Sequence, residues 1–484
     1  MTTTDIEDIA RRAQEAHAAY SRTAPEARAR ALTAVAEALE ADDQVVTIAQ
    51  AETGLSEARL AGEIKRTAYQ LRAFAETVRD GGYLDVRIDT ADPDFPLGPR
   101  PDVRRCLLPA GPVLNFAASN FPFAFSVLGG DTAAALAAGC AVVVKAHPGH
   151  PQLSDRCASL ASRALTDAGM PAATIQLVHG QDEGVELLRH PVIRVATFTG
   201  SVRGGRALAD VAASRPDPIP FFGELGSVNP VVVTAGALRE RAEEIVSGYV
   251  TSVSGSAGQL CTKPGFLFVP VGHGLGDALR AAAEQVAEHR LLNPAVSHGY
   301  QQRRDDVLGA GVDIVAEGAV RVDEDQNAWA TPTLVRVTLD ELIAGRDRLL
   351  DESFGPLSVV VEYDDLGGLL PQLAQLFPGN LTATVHCATD EISDPQVGAL
   401  VQLFAQHAGR VLIGGWPTGV AVTAAMQHGG PWPATTNDTG TSVGSAAITR
   451  LLRPVAFQSA PQELLPEPLR DDNPWGVPQR RNAV

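Results

Sequence analysis

A chain of 484 residues exceeds one ordinary core, so two or three domains, or one large split α/β unit, are expected. Hydrophobic residues at 45% and charged ones at 20% exclude a disordered or fibrous chain, and a formal net charge of −18 leaves no basic surface for a nucleic-acid partner. The five cysteines, Cys106, Cys140, Cys157, Cys261 and Cys387, show no CxxC or CxxH spacing, which argues against a structural metal site or a disulfide framework and for reduced thiols.

The opening MTTTDIEDIARRAQ carries acids where a signal peptide needs a basic start, and no uninterrupted stretch reaches membrane-spanning length. A cytoplasmic protein without membrane association is expected. From about Asp5 to Asp80 the spacing predicts amphipathic helices: Leu32, Val35, Ala36 and Leu39 fall at i, i+3, i+4 and i+7, with Arg28, Arg30 and Glu37 between them. The Pro- and Asp-rich stretch Thr90 to Pro109 then predicts an extended or hairpin excursion.

A regular alternation follows. VLNFA at 113–117, AVVVK at 141–145, TIQLVHG at 174–180 and VATFTG at 195–200 read as strands. Helical segments near 130–139, 153–168 and 184–189 separate them, which predicts a parallel sheet covered on both faces. Ligands of such sheets bind at the carboxyl ends of the strands. After PVVV at 230–233 a second α/β pattern begins: a helix near Leu238 to Val250, a Gly/Ser-rich loop and the strand GFLFVP at 265–270. The tail from Pro431 is rich in Pro, Gly and Thr, and SAAITRLLRPVAFQ reads as helix or strand.

Three polar residues stand where chemistry is plausible. In SVSGSAGQLCTKPG, Cys261 follows a loop of small residues that lets a substrate and backbone amides approach. An isolated cysteine is ordinarily a small buried hydrophobe, but Gly, Ser and Gln are poor core material. In FFGELGSVNP, Glu224 lies between two glycines after a short apolar strand; it is either a loop acid or a general base tuned toward neutral pH by an apolar pocket. In NFAASNFPFAF, Asn120 is a turn-forming residue or an amide aimed at a developing oxyanion. FTGSVRGG offers the amides of Gly200 and Ser201 to a pyrophosphate, although its spacing is not GxGxxG. Lys145 ends a strand where a cofactor ribose would lie, while His147 and His150 read as loop histidines rather than metal ligands.

In order and spacing, ASNFP, VVVKA, FTGS, ELGS, GQLC and ESFGP resemble the motifs of the aldehyde dehydrogenase superfamily over nearly the whole chain. The resemblance implies a Rossmann-type parallel-sheet cofactor domain (1–90 and 110–229), an α/β catalytic domain (230–430), and a small β oligomerisation arm with its tail (91–109 and 441–484). It implies Cys261 as nucleophile, Glu224 as base and Asn120 as oxyanion donor. Lys145, His147, Gly200, Ser201, Glu352 and Phe354 would hold NADP or NAD, with Glu352 on the nicotinamide ribose and Phe354 beside the ring. A homodimer or homotetramer acting on a small-molecule aldehyde is also implied.

Two departures stand out. Pro148 occupies the place of a glutamate that NAD-preferring members often carry, which permits NADP. Ser227 and Val228 replace the more usual Gly-Lys. SNFPFAFSVLGGDTAAALAAGCAVVVKAHPGHP, MQHGGPWPATT, TSVGSAAITRLLRPVAFQ and LLPEPLRDDNP are similar to the 2-oxoglutarate semialdehyde (2,5-dioxopentanoate) dehydrogenases. A related branch, alike in the same segments, oxidises long-chain fatty aldehydes. An acylating member would lack the match to Glu224, and a non-catalytic relative on the same fold would have lost the nucleophile.

Overall fold

In the strand Val113–Phe116, Val113 shares a core with the helices Pro25–Ala41 and Glu57–Asp80, whereas Leu114 packs on the opposite face. Val142 and Val144 repeat this against Val143, so the near-continuous apolar runs are those of strands covered on both sides. The computed structural model describes residues 3–482. These strands belong to a five-stranded parallel sheet in the order Ile175–Val178, Val142–Lys145, Val113–Phe116, Val195–Thr199, Phe221–Glu224. The chain moves outward from Val113–Phe116 on one side and then returns to the other. Its topological switch point therefore lies between Phe116 and Thr199, at the carboxyl ends of two neighbouring strands.

Helices Pro25–Ala41 and Glu57–Asp80 cover one face, with Leu32, Val35, Ala36 and Leu39 fully buried as their spacing requires. Arg28 departs from the expected polar face. It is buried, and its guanidinium donates to Ala137 O and Thr23 O at 3.0 Å each. It thus supplies a cation to the carboxyl end of the helix Gly130–Ala138, where the helix dipole is negative. The helices Thr3–Tyr20, Gln181–Arg189 and Val202–Ala213 cover the other face.

The second unit is a seven-stranded sheet in the order Asp313–Ala316, Thr333–Thr338, Leu357–Tyr363, Phe266–Pro270, Pro230–Val233, Asn380–His386, Ala408–Ile413. Only the pairing at Asp313–Ala316 is antiparallel. Val232 faces one core and Val231 and Val233 the other. The helix expected near Leu238 to Val250 runs Ala235–Ser254 and breaks at Arg241.

A four-stranded sheet, in the order Leu452–Gln458, Val103–Pro109, Val86–Asp89, Gln479–Arg481, closes over Ile88, Cys106, Leu465 and Leu469. Its edges differ from the expected arm of 91–109 and 441–484. Val86–Asp89 joins it, because Val86 and Ile88 share one apolar side. The stretch Ser445–Leu451 instead coils into a 3-10 turn and inserts Ala447, Ile448 and Leu451 into the core beside Gly130–Ala138. Among the described residues no helix is long and apolar enough to cross a membrane.

Candidate active site

Cys261 follows three successive left-handed residues, Ser256 (φ 52°), Ala257 (φ 52°) and Gly258 (φ 65°), which reverse the chain between the helix ending at Ser254 and the cysteine. Two of the three pay the steric cost of a Cβ in that conformation. Asn229 holds the loop from outside: its Nδ2 donates to Cys261 O at 2.8 Å and to Lys263 O at 2.9 Å. Ser227 gives the ELGS form its structural meaning, because its hydroxyl donates to Asn229 Oδ1 at 2.7 Å and accepts from Leu381 N at 2.9 Å. Asn120 lies across the loop, its Nδ2 donating to Gln259 O at 3.1 Å and its carbonyl accepting from Arg59 at 2.7 Å. One amide hydrogen orients the side chain and the second remains for a ligand.

Glu224 is the last residue of Phe221–Glu224 and is buried. The segment 431–436 pairs alongside it, with Leu225 N donating to Ala434 O and Thr436 N to Gly223 O. That pairing brings in two partners absent from the sequence-derived set. His428 Nε2 lies 2.9 Å from Glu224 Oε1 and 3.6 Å from Cys261 Sγ, and Ser442 Oγ donates to Glu224 Oε2. The three reactive atoms of Glu224, Cys261 and His428 lie within 4.8 Å of one another.

The electrostatics differ from the sequence expectation. Burial pushes the Glu224 carboxyl upward, but His428, Ser442 and Arg450 outweigh it, so the group sits below its ordinary value and is ionised at neutral pH. The Cys261 thiol is pushed well above its ordinary value, first by burial and then by the negative charges of Glu224 and Glu352. The resting pair is a thiol beside a carboxylate.

Two chambers meet at the switch point. The first, of about 540 Å³, is lined by Cys261, Asn120, Gly200, Ser201, Glu352 and Phe354. The second, of about 500 Å³, is lined by Lys145, His147, Pro148, Gln181 and Arg203, and shares His147, Thr199, Gly200 and Ser201 with the first. A two-lobed space hinged at a helix N-terminus fits a dinucleotide: Ser201 caps the helix Val202–Ala213, its hydroxyl accepting from Gly204 N at 3.2 Å. All six residues expected around the cofactor border these chambers.

Gly226 makes room for Glu352, since a Cβ there would come within 2.3 Å of its Oε2. Burial raises the Glu352 carboxyl to about 7, against the opposing pull of Lys263. His147 is lowered to about 3, first by burial, and accepts from Gly149 N. His150 contacts Ala118 O and Ser154 Oγ, as a loop histidine does. Arg59, Arg66 and Arg410 near the site also escaped sequence reading.

A model of the aldehyde dehydrogenase family matches residues 1–375. The chain is 42% identical to an alpha-ketoglutaric semialdehyde dehydrogenase of Acinetobacter baylyi, over 100% of this chain and 92% of that protein. It is 40% identical to alpha-ketoglutaric semialdehyde dehydrogenase 2 of Azospirillum brasilense, over 99% and 91%. In fold it matches the solved NAD-dependent aldehyde dehydrogenase from Sinorhizobium meliloti, with a TM-score of 0.78 at 23% identity, covering 94% of this chain and 86% of that one. A thiol lining the first chamber, an ionised glutamate and a two-lobed dinucleotide space thus converge in a chain that belongs to the aldehyde dehydrogenase family and oxidises an aldehyde with NAD or NADP.

Proposed function

We propose that the protein oxidises 2-oxoglutarate semialdehyde to 2-oxoglutarate through a thioester on Cys261. The observation that carries the substrate is the likeness, over essentially the full chain, to two enzymes named for that aldehyde. The chemistry follows from the residues around Cys261. Its sulfur adds to the aldehyde carbon while the thiol proton moves onto the His428 and Glu224 pair, because a free thiolate beside two carboxylates is unfavourable. Asn120 Nδ2 and the Cys261 amide donate to the oxyanion that forms. NAD or NADP, when bound, supplies the hydride acceptor. Lys145, Ser201 and Glu352, which line the two chambers, would hold its ribose and phosphate groups, and Phe354 flanks the first chamber. Once the thiol proton has passed to bulk water, Glu224, again ionised and held by Ser442 and His428, takes a proton from the water that hydrolyses the thioester.

Pro148 leaves no carboxylate at its position to repel a 2′-phosphate, which permits NADP beside NAD. The five cysteines are unpaired, which suits a reducing cytoplasm. A panel of 2-oxoglutarate semialdehyde, pentanal and decanal, each assayed with NAD and with NADP, tests the reading. The semialdehyde is expected to give the highest kcat/KM, and Cys261→Ala to abolish turnover while dinucleotide binding persists. Efficiency that climbs with chain length up to decanal would assign the enzyme to fatty aldehydes instead.

A further inference from the structure

We propose that Arg66 and Arg410 form a carboxylate-binding subsite that seats the distal acid group of the aldehyde substrate. The helix Glu57–Asp80 presents Arg59, Glu63 and Arg66 at i, i+4 and i+7, on one face, to the segment that carries Asn120. Glu63 is buried and accepts from Phe123 N at 2.8 Å and Ala124 N at 3.0 Å. Arg59 is engaged with Asn120 O, Ser256 Oγ and the Phe121 ring. These two residues position the oxyanion segment, and their polar atoms face its backbone.

Arg66 differs. Its Nη1 donates to Val420 O at 2.6 Å, and its guanidinium stacks 5.6 Å from the Phe125 ring. Its Nε and Nη2 are buried, and no acceptor among the described residues meets them. Arg410 arrives from the strand Ala408–Ile413 and braces the same turn, donating to Gly419 O at 3.0 Å and Pro417 O at 2.6 Å while its buried Nε stays unpartnered. Neither arginine forms an ion pair among the described residues. A desolvated guanidinium with unmet donors is unfavourable until an anion joins it, and a planar fork is the group best matched to a carboxylate.

Location agrees with that role. The Phe125 ring on which Arg66 stacks lies 6.1 Å from the ring of His428, whose Nε2 is 3.6 Å from Cys261 Sγ, and neither arginine lines the two dinucleotide chambers. A short aldehyde that reaches Cys261 with an acid group at its far end would meet them on the side the cofactor leaves free. A long alkyl chain would instead have to cross two half-buried positive charges. The subsite rests on the substrate proposed above and deepens that reading by naming the two residues that would hold its carboxylate.

The test compares 2-oxoglutarate semialdehyde with pentanal, of the same carbon count but without the acid, in Arg66→Met and Arg410→Met. The ratio of kcat/KM for the semialdehyde to that for pentanal is expected to fall roughly 10- to 100-fold, chiefly through KM. Arg66→Lys, which keeps the charge but loses the fork, is expected to recover part of it and carries the test if the methionine variants do not fold. Glutarate, a five-carbon diacid, is a second probe: it should inhibit pentanal oxidation by the wild type and do so less well in each variant. Equal losses for both aldehydes, or unchanged ratios and unchanged glutarate inhibition, would overturn the subsite. A wild type that ignores the semialdehyde yet is inhibited by glutarate through Arg66 would refute the substrate and retain the subsite.

Discussion

Cys261 has two carboxylates for neighbours, and that sets how it must be activated. Burial, Glu224 and Glu352 all favour the protonated thiol, so the thiolate fraction at neutral pH is small and grows tenfold for each pH unit below the raised value. Inactivation by iodoacetamide should therefore rise with unit slope from pH 7 to 9 without a plateau; a plateau near neutrality would show a preformed thiolate. Glu224→Gln removes one negative neighbour and lowers the thiol value, so alkylation at pH 7 should quicken. Thioester hydrolysis loses its base in the same variant, and rapid mixing should show a burst of reduced cofactor followed by a slow phase. Slower alkylation would instead make thiol activation the main task of Glu224. Cys261, Glu224 and Asn120 could be read locally, each from a Gly-rich or polar break in an apolar stretch. His428 could not: it is 167 positions from Cys261, and its neighbours Gly429 and Gly430 resemble any turn. For the same reason the apolar setting of Glu224 suggested a raised carboxyl, whereas the distant His428 and Ser442 lower it.

Two loops from different ends of the catalytic unit meet at Gly258. A Cβ there would come within 2.3 Å of Gly355 O, a backbone atom in the ESFGP turn that carries Glu352, and the residue already has φ +65°. Gly258→Ala thus combines left-handed strain with overpacking and should cost about 2–5 kcal/mol. Thermal denaturation should register that loss, and dinucleotide titration should show weaker binding, because the turn cannot yield without moving Glu352. An alanine variant with wild-type melting and affinity would mean the two loops are not coupled. At this scale the sequence was most legible where period and length agreed, as in the strands Val142–Lys145 and Val195–Thr199. SAAITRLLRPVAFQ read as either helix or strand because it is both: Ala447, Ile448 and Leu451 bury as a turn, and Leu452–Gln458 then pairs as a strand. Val86–Asp89 escaped notice because four residues, half of them charged, carry too little pattern.

The small sheet leaves one long edge unpaired among the described residues. Leu452–Gln458 pairs with Val103–Pro109 along one side over seven residues, and its other side is an open edge of the sheet. Half-buried Val455 and Phe457 alternate along it with exposed Pro454, Ala456 and Gln458. A strand of that length, with a row of backbone donors and acceptors interrupted only at Pro454, invites pairing with another chain, and the hairpin around Asp92 and Arg100 leaves Leu97 91% exposed. We infer that this arm joins protomers into a dimer or tetramer, in keeping with the closed symmetry most soluble oligomers adopt. Light scattering at micromolar concentration should then give twice or four times the 50.8 kDa of one chain. Ala456→Lys places a charge on the exposed face of the edge strand, a device that natural sheets use against association. It should shift the mass toward one chain on dilution while leaving the melting of the protomer core intact. A wild-type mass of one chain at those concentrations would remove the arm from any assembly role, and an unchanged mass for the lysine variant would move the contact to another face of the molecule.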